Sequence, residues 1–397
     1  MKNFSSHFPF QNPLHPNTPL TPFTNQEEEK EKESNSSKHE DDQKPRCEWD
    51  FNLSTVISSS AAASDAIGVV EFNHDDTVLA TGGIARKIRI YSVETILKPN
   101  NGEKEVNYID HAAACEFYIC TPAKLSSMKW RPGSGSRVIG SGDYDGVVME
   151  YDLEKRVPVF ERDEHGGRRV WSIDYSHWDP TLGASGSDDG TMQMWDPRCA
   201  DSGYKCVSSV QPNRVSGSPV CSVEFNPFGG HVVAVGCADR RIYGYDVRKL
   251  VDPVFVLDGH GKAVTYTRFL DLRTLISASV DGCLMMWDAE DCSLIRTYKG
   301  HFNSRRFVGL SVWRNGGLLS CGSENNQVFV YDKRWGDPVW VRGFKSLVQS
   351  QSDRGFVSGV CWRQTGEERC TLVAGGSDGV LQVFEGEKKV NLNTSIE

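Results

Sequence analysis

The sequence lacks several features that mark common functional classes. No apolar run in its 397 residues approaches the roughly 20 residues that a membrane helix needs, so we expect no membrane partner. The N-terminal segment contains no continuous apolar stretch of a secretory signal, and we therefore expect the chain to act in the nucleus and cytoplasm. No C-x-x-C pair occurs among its 12 cysteines. This argues against a zinc or redox site and, in a reducing compartment, against disulfides.

Positive charge is also scarce. The chain has 44 Lys and Arg against 53 Asp and Glu, for a formal net charge of −9. Nucleic-acid binding depends on many Lys and Arg contacts to phosphate, so we expect no nucleic-acid partner. The sequence contains no phosphate-binding loop, metal-ligand spacing or nucleophile elbow. It therefore predicts no enzyme, no metal site and no cofactor.

The two ends of the chain differ from its middle in composition. Residues 1–46 are rich in Pro and then in Ser, Glu and Lys, and they contain too little apolar surface to offset the entropy lost on ordering. We predict a disordered N-terminal tail for residues 1–46. Residues 387–397 are interpreted as a C-terminal tail.

Between the tails, residues 47–386 contain a repeated pattern. The pattern consists of seven units. Each unit begins with a run of alternating apolar and polar residues that ends in an aromatic residue. A second strand-like run, which also ends in an aromatic residue, follows in each unit. The aromatics that end the first runs are Phe72, Trp130, Tyr175, Phe225, Phe269, Trp313 and Trp362. Such runs predict β-strands, and repeats of about 40 to 45 residues are typical of WD40 blades. The predicted fold is an all-β, seven-bladed WD40 β-propeller.

An acidic residue recurs at the same turn of the repeats. Six residues before the aromatic that ends the second run stand Asp145, Asp189, Asp239, Asp281, Asn325 and Asp378, with Ala85 in the first unit. A carboxylate there can accept hydrogen bonds from backbone N–H groups. Gly259-His260 and Gly300-His301 resemble the Gly-His dipeptide of WD40 proteins, in which His, Ser or Thr, the turn Asp and Trp form a buried polar chain. Because the set recurs, we interpret it as structural rather than as a catalytic triad.

The last unit lacks an outer strand of its own, since its sequence ends in EGEKKVNLNTSIE. The segment CEWDFNLSTVI, residues 47–57, precedes the first complete unit and has strand character. We predict that residues 47–57 supply the missing strand and close the ring without an open edge.

A propeller blade has four strands, called a to d in chain order, and each loop is named by the two strands that it joins. Because the strands alternate in direction, the d–a and b–c loops share one face, here called the mouth face. The a–b and c–d loops share the opposite face. The candidate peptide-binding residues fall on the mouth face: Lys124, Tyr144, Arg169, Trp171, Arg240, Lys262 and Phe307. Each alone could be an exposed charge or a packed aromatic. Together, cations and aromatics around a central opening suit an extended peptide with acidic flanks and an apolar centre.

The repeats closely resemble the WD40 domain of the plant constitutively photomorphogenic ubiquitin ligase, in segments such as AKLSSMKW, SGSDDGTMQMW, AVGCADRRIYGYD and RRFVGLSV. That family binds Val-Pro motifs with acidic neighbours at the mouth. The resemblance implies that Lys124, Tyr144, Arg169, Trp171, Lys262 and Phe307 match its pocket, whereas Arg240 and Cys237 depart from it.

The resemblance stops before the first blade. The ligase carries a RING and a coiled coil there, whereas Cys47 and a short tail stand in that place, so we expect no ubiquitin transfer through a RING of this chain. A propeller of this kind without a RING looks like the repressor of UV-B photomorphogenesis proteins, which bind the UV-B photoreceptor and speed its return to the inactive dimer. The implied partners are that photoreceptor and other light-signalling proteins with Val-Pro motifs.

Three segments on the opposite face fit a W/Y-D-x-R pattern. Their defining residues are Trp195, Asp196 and Arg198; Tyr245, Asp246 and Arg248; and Tyr331, Asp332 and Arg334. In many WD40 proteins this pattern resembles the docking box for the damaged-DNA-binding adaptor of cullin-4 ligases. The planar guanidinium suits paired hydrogen bonds to a partner, although each arginine could equally be a solvated loop residue. An alternative function is therefore a substrate receptor of a cullin-4 ligase, and a scaffold without either activity is a third.

Overall fold

Seven sheets of mainly antiparallel strands form the blades of a propeller in the described residues of the computed structural model. The structure describes residues 46–59, 65–97, 105–198, 208–344 and 355–389, all within the unit Pro45–Glu397. The predicted N-terminal tail, apart from Arg46, and residues 390–397 of the predicted C-terminal tail lie outside this part of the chain. The predicted all-β, seven-bladed WD40 fold is confirmed.

Blades 1 to 3 each contain four strands in order from the axis outward. They are β2 (Ile67–Phe72), β3 (Val78–Gly83), β4 (Lys87–Ser92) and β6 (Cys115–Cys120); β7 (Leu125–Trp130), β8 (Val138–Asp143), β9 (Val148–Asp152) and β10 (Val157–Arg162); and β11 (Val170–Tyr175), β12 (Gly183–Ser187), β13 (Met192–Trp195) and β14 (Ser208–Val210).

Blades 4 to 6 have the same order. Their strands are β15 (Val220–Phe225), β16 (Val232–Cys237), β17 (Arg241–Asp246) and β18 (Phe255–Asp258); β19 (Val264–Phe269), β20 (Thr274–Ser279), β21 (Leu284–Asp288) and β22 (Ser293–Tyr298); and β23 (Leu310–Trp313), β24 (Leu318–Cys321), β25 (Gln327–Asp332) and β26 (Trp340–Gly343). The first strand of every blade ends at the aromatic residue that the repeat pattern indicated.

Blade 7 joins the two ends of the propeller. It contains β27 (Val357–Trp362), β28 (Arg369–Gly376) and β29 (Leu381–Lys388), followed by β1 (Trp49–Ser58). Strand β1 pairs antiparallel with β29 from Trp49 opposite Lys388 to Ile57 opposite Leu381, with a register shift between Leu53 and Thr55. Strand β1 thus covers residues 49–58, compared with residues 47–57 for the closing strand expected from the sequence, and β29 runs two residues past residue 386.

A fifth strand on blade 7 was not foreseen. Strand β5 (Asn107–Asp110) pairs in parallel with Thr55–Ser58 of β1. It belongs to an insert between β4 and β6 that also contains two short helices, α1 (Val93–Ile96) and α2 (His111–Ala114). The Thr55 hydroxyl donates to the Ile96 carbonyl at 2.8 Å. His111 accepts from the Tyr91 hydroxyl and donates to the Gly379 carbonyl, both at 2.8 Å. The insert of blade 1 thus ties blade 7 to blade 1.

Apolar side chains fill the interfaces between neighbouring blades. The described residues contain seven clusters of buried side chains, and each cluster draws its members from two adjacent blades. In the cluster between blades 6 and 7, Phe51 of β1 packs on Trp340 and Trp362, with ring centroids 5.1 Å and 6.0 Å apart. Such burial is the dominant favourable term in folding. No helix in the described residues is long and apolar enough to cross a membrane.

The polar chain implied by the WD40 resemblance is complete in blade 5. Trp287 Nε1 donates to Ser277 Oγ at 2.8 Å, and His260 contacts Ser277 Oγ at 2.7 Å and Asp281 Oδ2 at 2.9 Å. Blade 3 uses His165, which contacts Asp189 at 2.7 Å and Ser185 at 2.8 Å. These histidines and aspartates are therefore structural.

Two turn residues behave differently from the expectation. In blade 2 the carboxylate that accepts from the turn is Asp143, which bonds the N–H groups of Asp145 and Val147 at 2.9 Å and 2.8 Å. Asp145 itself is exposed, so its assignment as the turn acid was wrong. Asp143 is equivalent to Ser279 of blade 5. The Ser279 hydroxyl likewise accepts a hydrogen bond from the backbone N–H two residues later, that of Asp281. In blade 6 the Asn325 amide donates to Gln327 instead, and His301 contacts the Tyr331 hydroxyl.

The closing strand provides a stability test. Replacing Phe51 by Ala should lower the free energy of unfolding by about 3 to 5 kcal/mol, the usual cost of deleting a buried aromatic ring. Asn52→Ala is the matched control, because Asn52 is the next residue of β1 and is exposed. Urea unfolding of both variants measures the difference. Equal midpoints would contradict a closing role for β1.

His301 provides a pH test. Burial lowers the pKa of His301 to about 4, so the folded state holds it neutral. The stability that the neutral imidazole of His301 contributes is complete above the pKa of about 6.5 that this residue has in the unfolded chain. That stability is lost as the pH falls toward 4, because only the unfolded chain then binds the proton. Between pH 7 and pH 5 the wild type should lose about 2 kcal/mol more than His301→Gln. Thermal melts at both pH values measure this, with the exposed His231→Gln as control; identical pH dependence in wild type and His301→Gln would contradict it.

Candidate functional site

Two aromatic rings meet at the centre of the mouth face. Trp171 is the second residue of β11 in blade 3, and Phe307 lies in the loop that enters β23 in blade 6. Their rings stack with centroids 4.3 Å apart and an interplanar angle of 5°. Blades 3 and 6 are not neighbours in a ring of seven, so this stack spans the central opening. It forms the apolar centre of the candidate site.

Arg169 and Tyr144 border the stack. The guanidinium carbon of Arg169 lies 4.2 Å from the Tyr144 ring centroid and 4.6 Å from that of Trp171. A guanidinium between two ring faces is held by cation–π attraction. Its Nε is buried without a hydrogen-bond partner in the described residues. The structure thus brings together four of the seven predicted peptide-binding residues.

Two further residues shape the mouth and were missed from the sequence. Asp188 accepts a hydrogen bond from Trp171 Nε1 at 2.5 Å, which fixes the indole. Tyr266 meets Phe307 edge to face, with centroids 5.7 Å apart. Burial raises the pKa of Tyr266 to about 12, so it is a neutral phenol. Asp188 was missed because it is adjacent to Asp189, to which the repeat pattern assigns the turn. Tyr266 was missed because it lies within a run of residues typical of any β-strand.

The other three predicted residues lie on the same face, and of these Lys124 contacts the cluster through its backbone, since its carbonyl accepts from the Tyr144 N–H at 2.9 Å. Lys124, Arg240 and Lys262 are exposed, and no hydrogen bond or ion pair joins their side chains to any described residue. Arg240 has a φ of 81° at a turn position where blades 2, 3, 5 and 7 have glycine, a conformation that is uncommon for residues with a Cβ. The side chains of these three residues thus place positive charge around the mouth.

The carboxylates of the mouth face are largely engaged in its own turns. Asp189 and Asp281 bond histidines, while Asp239 accepts from the Tyr243 hydroxyl at 2.6 Å. Several exposed cations on this face have no carboxylate partner within the described residues, namely Lys124, Arg168, Arg240, Lys262 and Arg305, whereas the exposed Arg241 is paired with Asp258. An overall acidic chain therefore presents uncompensated positive charge at the mouth, which favours a negatively charged ligand.

The channel below the mouth is polar at its far end. A cavity of about 190 Å³ opens there, lined by charged residues that include Glu71, Lys129, Asp174, Glu224 and Arg268. Lys129 and Glu71 form an ion pair at 2.6 Å. Burial raises the pKa of Glu224 to about 7. The far end of the channel thus combines charged residues with apolar ones such as Phe72 and Trp362.

The opposite face presents the three W/Y-D-x-R segments in one shared geometry. In each, the Asp accepts the backbone N–H of the Arg two residues later at 2.9 Å. The same carboxylate binds the Nε and Nη2 atoms of that arginine; Arg248 does so at 2.9 Å and 2.6 Å. Every guanidinium is therefore held by its own aspartate while its side chain stays 47–65% exposed.

The three arginines differ in their additional partners. Arg198 also binds Asp179 at 2.6 Å, and Arg334 binds Glu48 at 3.0 Å. Arg248 binds only Asp246 among the described residues. The arginines are thus oriented by the fold and still exposed.

The comparisons with known proteins agree with this architecture. A family model described as Nucleolar protein 10-like, N-terminal domain, matches residues 173–332. The WD repeat-containing protein RUP2 of Arabidopsis thaliana is 63% identical over 331 residues, covering 82% of this chain and 89% of that protein. RUP1 of the same plant is 59% identical over 346 residues, covering 87% and 86%. The chain belongs to the RUP family of WD repeat-containing proteins.

The ligase resemblance is also supported, at a greater distance than the RUP family. The E3 ubiquitin-protein ligase COP1 of Pisum sativum is 34% identical over 327 residues. The match covers 81% of this chain and 45% of the ligase. The similarity thus accounts for less than half of the ligase.

Proposed function

We propose that this RUP family protein is a non-enzymatic interaction propeller in plant light signalling. It binds Val-Pro-type motifs with acidic neighbours in the UV-B photoreceptor and in related light-signalling factors. The observation that carries this proposal is the Trp171–Phe307 stack, which lies at the centre of a face where Lys124, Arg240 and Lys262 are exposed and have no carboxylate partner among the described residues. An apolar centre with charged surroundings suits such a motif in both shape and charge.

The residues of the mouth would contact different parts of the bound motif. Valine and proline side chains of the motif pack on Trp171 and Phe307, because flat aromatic rings give large contact area with little entropy to lose. Arg169 is positioned to donate to the peptide backbone or to a carboxylate. Lys124, Arg240 and Lys262 attract acidic flanks over a longer range.

Binding alone can oppose the photoreceptor's active monomer. A ligand shifts a conformational equilibrium only by its difference in affinity for the two states. We propose that the propeller binds the photoreceptor tail in a manner compatible with the inactive dimer and so promotes re-dimerisation. Competition with the ubiquitin ligase for the same motif, in the nucleus and cytoplasm, acts in the same direction.

The central stack provides the first test of this function. Trp171→Ala should weaken binding of an acid-flanked Val-Pro peptide by at least about 2 kcal/mol, as is typical of a central aromatic hot spot. Trp178→Ala is the matched control, because Trp178 is 64% exposed and lies in the a–b loop on the opposite face. Isothermal titration calorimetry measures both variants. Wild-type affinity in Trp171→Ala would remove the mouth from the binding site.

A second candidate function is that of a substrate receptor of a cullin-4 ubiquitin ligase. The observation in its favour is that the three W/Y-D-x-R segments present their arginines in the same aspartate-held, half-exposed geometry. Orientation before binding reduces the entropy lost when a partner docks. The damaged-DNA-binding adaptor is the proposed partner of this face. The two functions use opposite faces and are compatible.

Arginine variants test the second function. Arg198→Ala should reduce capture of the adaptor, and Arg198→Ala with Arg248→Ala should reduce it further. Peptide binding at the mouth should be unchanged, since distant sites without shared partners act independently. The melting temperature should also change little, because exposed ion pairs contribute little to stability. Pull-down with purified adaptor measures capture, with exposed Arg369→Ala as control. Unaltered capture by the folded double variant would exclude this role.

A further inference from the structure

A second cation–aromatic pair lies on the mouth face beyond the central stack. The guanidinium carbon of Arg306 lies 4.3 Å from the centroid of the Phe356 ring. Arg306 directly precedes Phe307, and Phe356 directly precedes β27 of blade 7. The pair therefore continues the mouth from blade 6 toward blade 7. It repeats the arrangement of Arg169 on Tyr144 and Trp171 on the other side of the axis.

The loop that carries Arg306 is held by a single carboxylate. Glu324 Oε1 accepts from the backbone N–H groups of Ser304, Arg305 and Arg306 at 3.0, 2.9 and 3.0 Å, and Oε2 accepts from the Ser304 hydroxyl at 2.8 Å. Burial acts to raise the pKa of Glu324, but these hydrogen bonds outweigh it and lower the pKa. The ionised carboxylate thus fixes the backbone while the side chains of Arg305 and Arg306 remain exposed.

Phe356 is fixed as well. Its backbone N–H donates to Ser377 Oγ at 3.0 Å, and its carbonyl accepts from the Ser377 N–H at 2.9 Å. A guanidinium stacked on a ring keeps its N–H donors free at the edge of its plane. Within the described residues, no hydrogen bond or ion pair engages the Arg306 side chain. A positioned guanidinium with free donors is suited to a carboxylate.

We propose that Arg306 and Phe356 form a carboxylate-binding subsite that recognises an acidic residue in one flank of the bound peptide. This rests on the proposed function, because the apolar centre of that peptide must lie at Trp171 and Phe307. Exposed or stacked cations lie on both sides of the centre: Lys124, Arg168 and Arg169 in the loops that enter blades 2 and 3, and Lys262, Arg305 and Arg306 in those that enter blades 5 and 6. A peptide that crosses the mouth meets cations before and after its apolar centre. The preferred motif is therefore acidic, apolar and acidic in order.

Three synthetic peptides with one shared Val-Pro centre test the subsite. One carries acidic residues on both sides of the centre, one only before it and one only after it. Arg306→Ala should weaken the two-sided peptide and one of the one-sided peptides by about 5- to 10-fold, the loss expected for one charge-assisted interaction. The other one-sided peptide should bind as it does to the wild type. Phe356→Leu should weaken the same two peptides by a smaller factor.

Two variants separate this geometry from general attraction between charges. Arg342→Ala removes the same charge from an exposed position of β26 in blade 6, and it should leave all three affinities unchanged. Arg306→Lys keeps the charge but lacks the planar fork, so it should recover only part of the lost affinity. Equal weakening of all three peptides by Arg306→Ala would overturn the proposal. Full recovery in Arg306→Lys, or wild-type affinity in Arg306→Ala, would also overturn it.

Trp171→Ala distinguishes failure of the subsite from failure of the proposed function. If Trp171→Ala loses all three peptides while Arg306→Ala loses none, the mouth binds the motif and the subsite alone is wrong. If the wild type binds none of the three peptides, both proposals fail. Thermal melts of every variant establish that the propeller is folded, and Arg306 is exposed, so its substitutions should not change the melting temperature.

Discussion

The whole structure depends on the antiparallel ladder between β1 and β29. The seven inter-blade clusters form a closed cycle, in which each blade covers an apolar face of the next. Without β1, blade 7 would expose the backbone groups of β29 and uncover Trp362 and Trp340, which contact Phe51. Because the mouth is built from loops of blades on opposite sides of the axis, its geometry exists only when the ring is closed. The position of Trp171 relative to Phe307 is thus a property of the entire cycle.

Charge is distributed unequally between the two faces, although both contain acids and bases. On the opposite face Arg198, Arg248 and Arg334 each bind an aspartate two residues earlier in the chain. On the mouth face several carboxylates are bound by histidines, a tyrosine and backbone N–H groups, and Lys124, Arg240 and Lys262 have no carboxylate partner in the described residues. The propeller thus presents arginines of fixed orientation on the face opposite the mouth and unpaired cations on the mouth face. The net charge of −9 describes the whole chain and does not report this difference between the two faces.

The fold could be predicted from the sequence because its signals are local and repeated. Each first strand ends at an aromatic residue, and the missing outer strand pointed to residues 47–57. Strand β5 could not be predicted in this way, since its four residues follow no alternating pattern and are paired only through β1. The turn acid of blade 2 was misassigned because Asp143 and Asp145 both lie near the turn, and only the backbone path decides between them. Four of the residues that the sequence indicated for the mouth lie together, whereas the contacts of Tyr266 with Phe307 and of Arg306 with Phe356 depend on distances between blades.

The pairing of β1 has a consequence for the order of events during synthesis. Strand β1 leaves the ribosome before any blade is complete, whereas its antiparallel partner β29 is made after every other strand that the structure describes. Strand β5 is made soon after β1 and pairs with its other edge in parallel. It is therefore the first partner that β1 can meet, and it can keep one edge of that strand covered while the later blades are translated. Closure of the propeller is then the final step, and it brings together segments more than 300 residues apart in the chain.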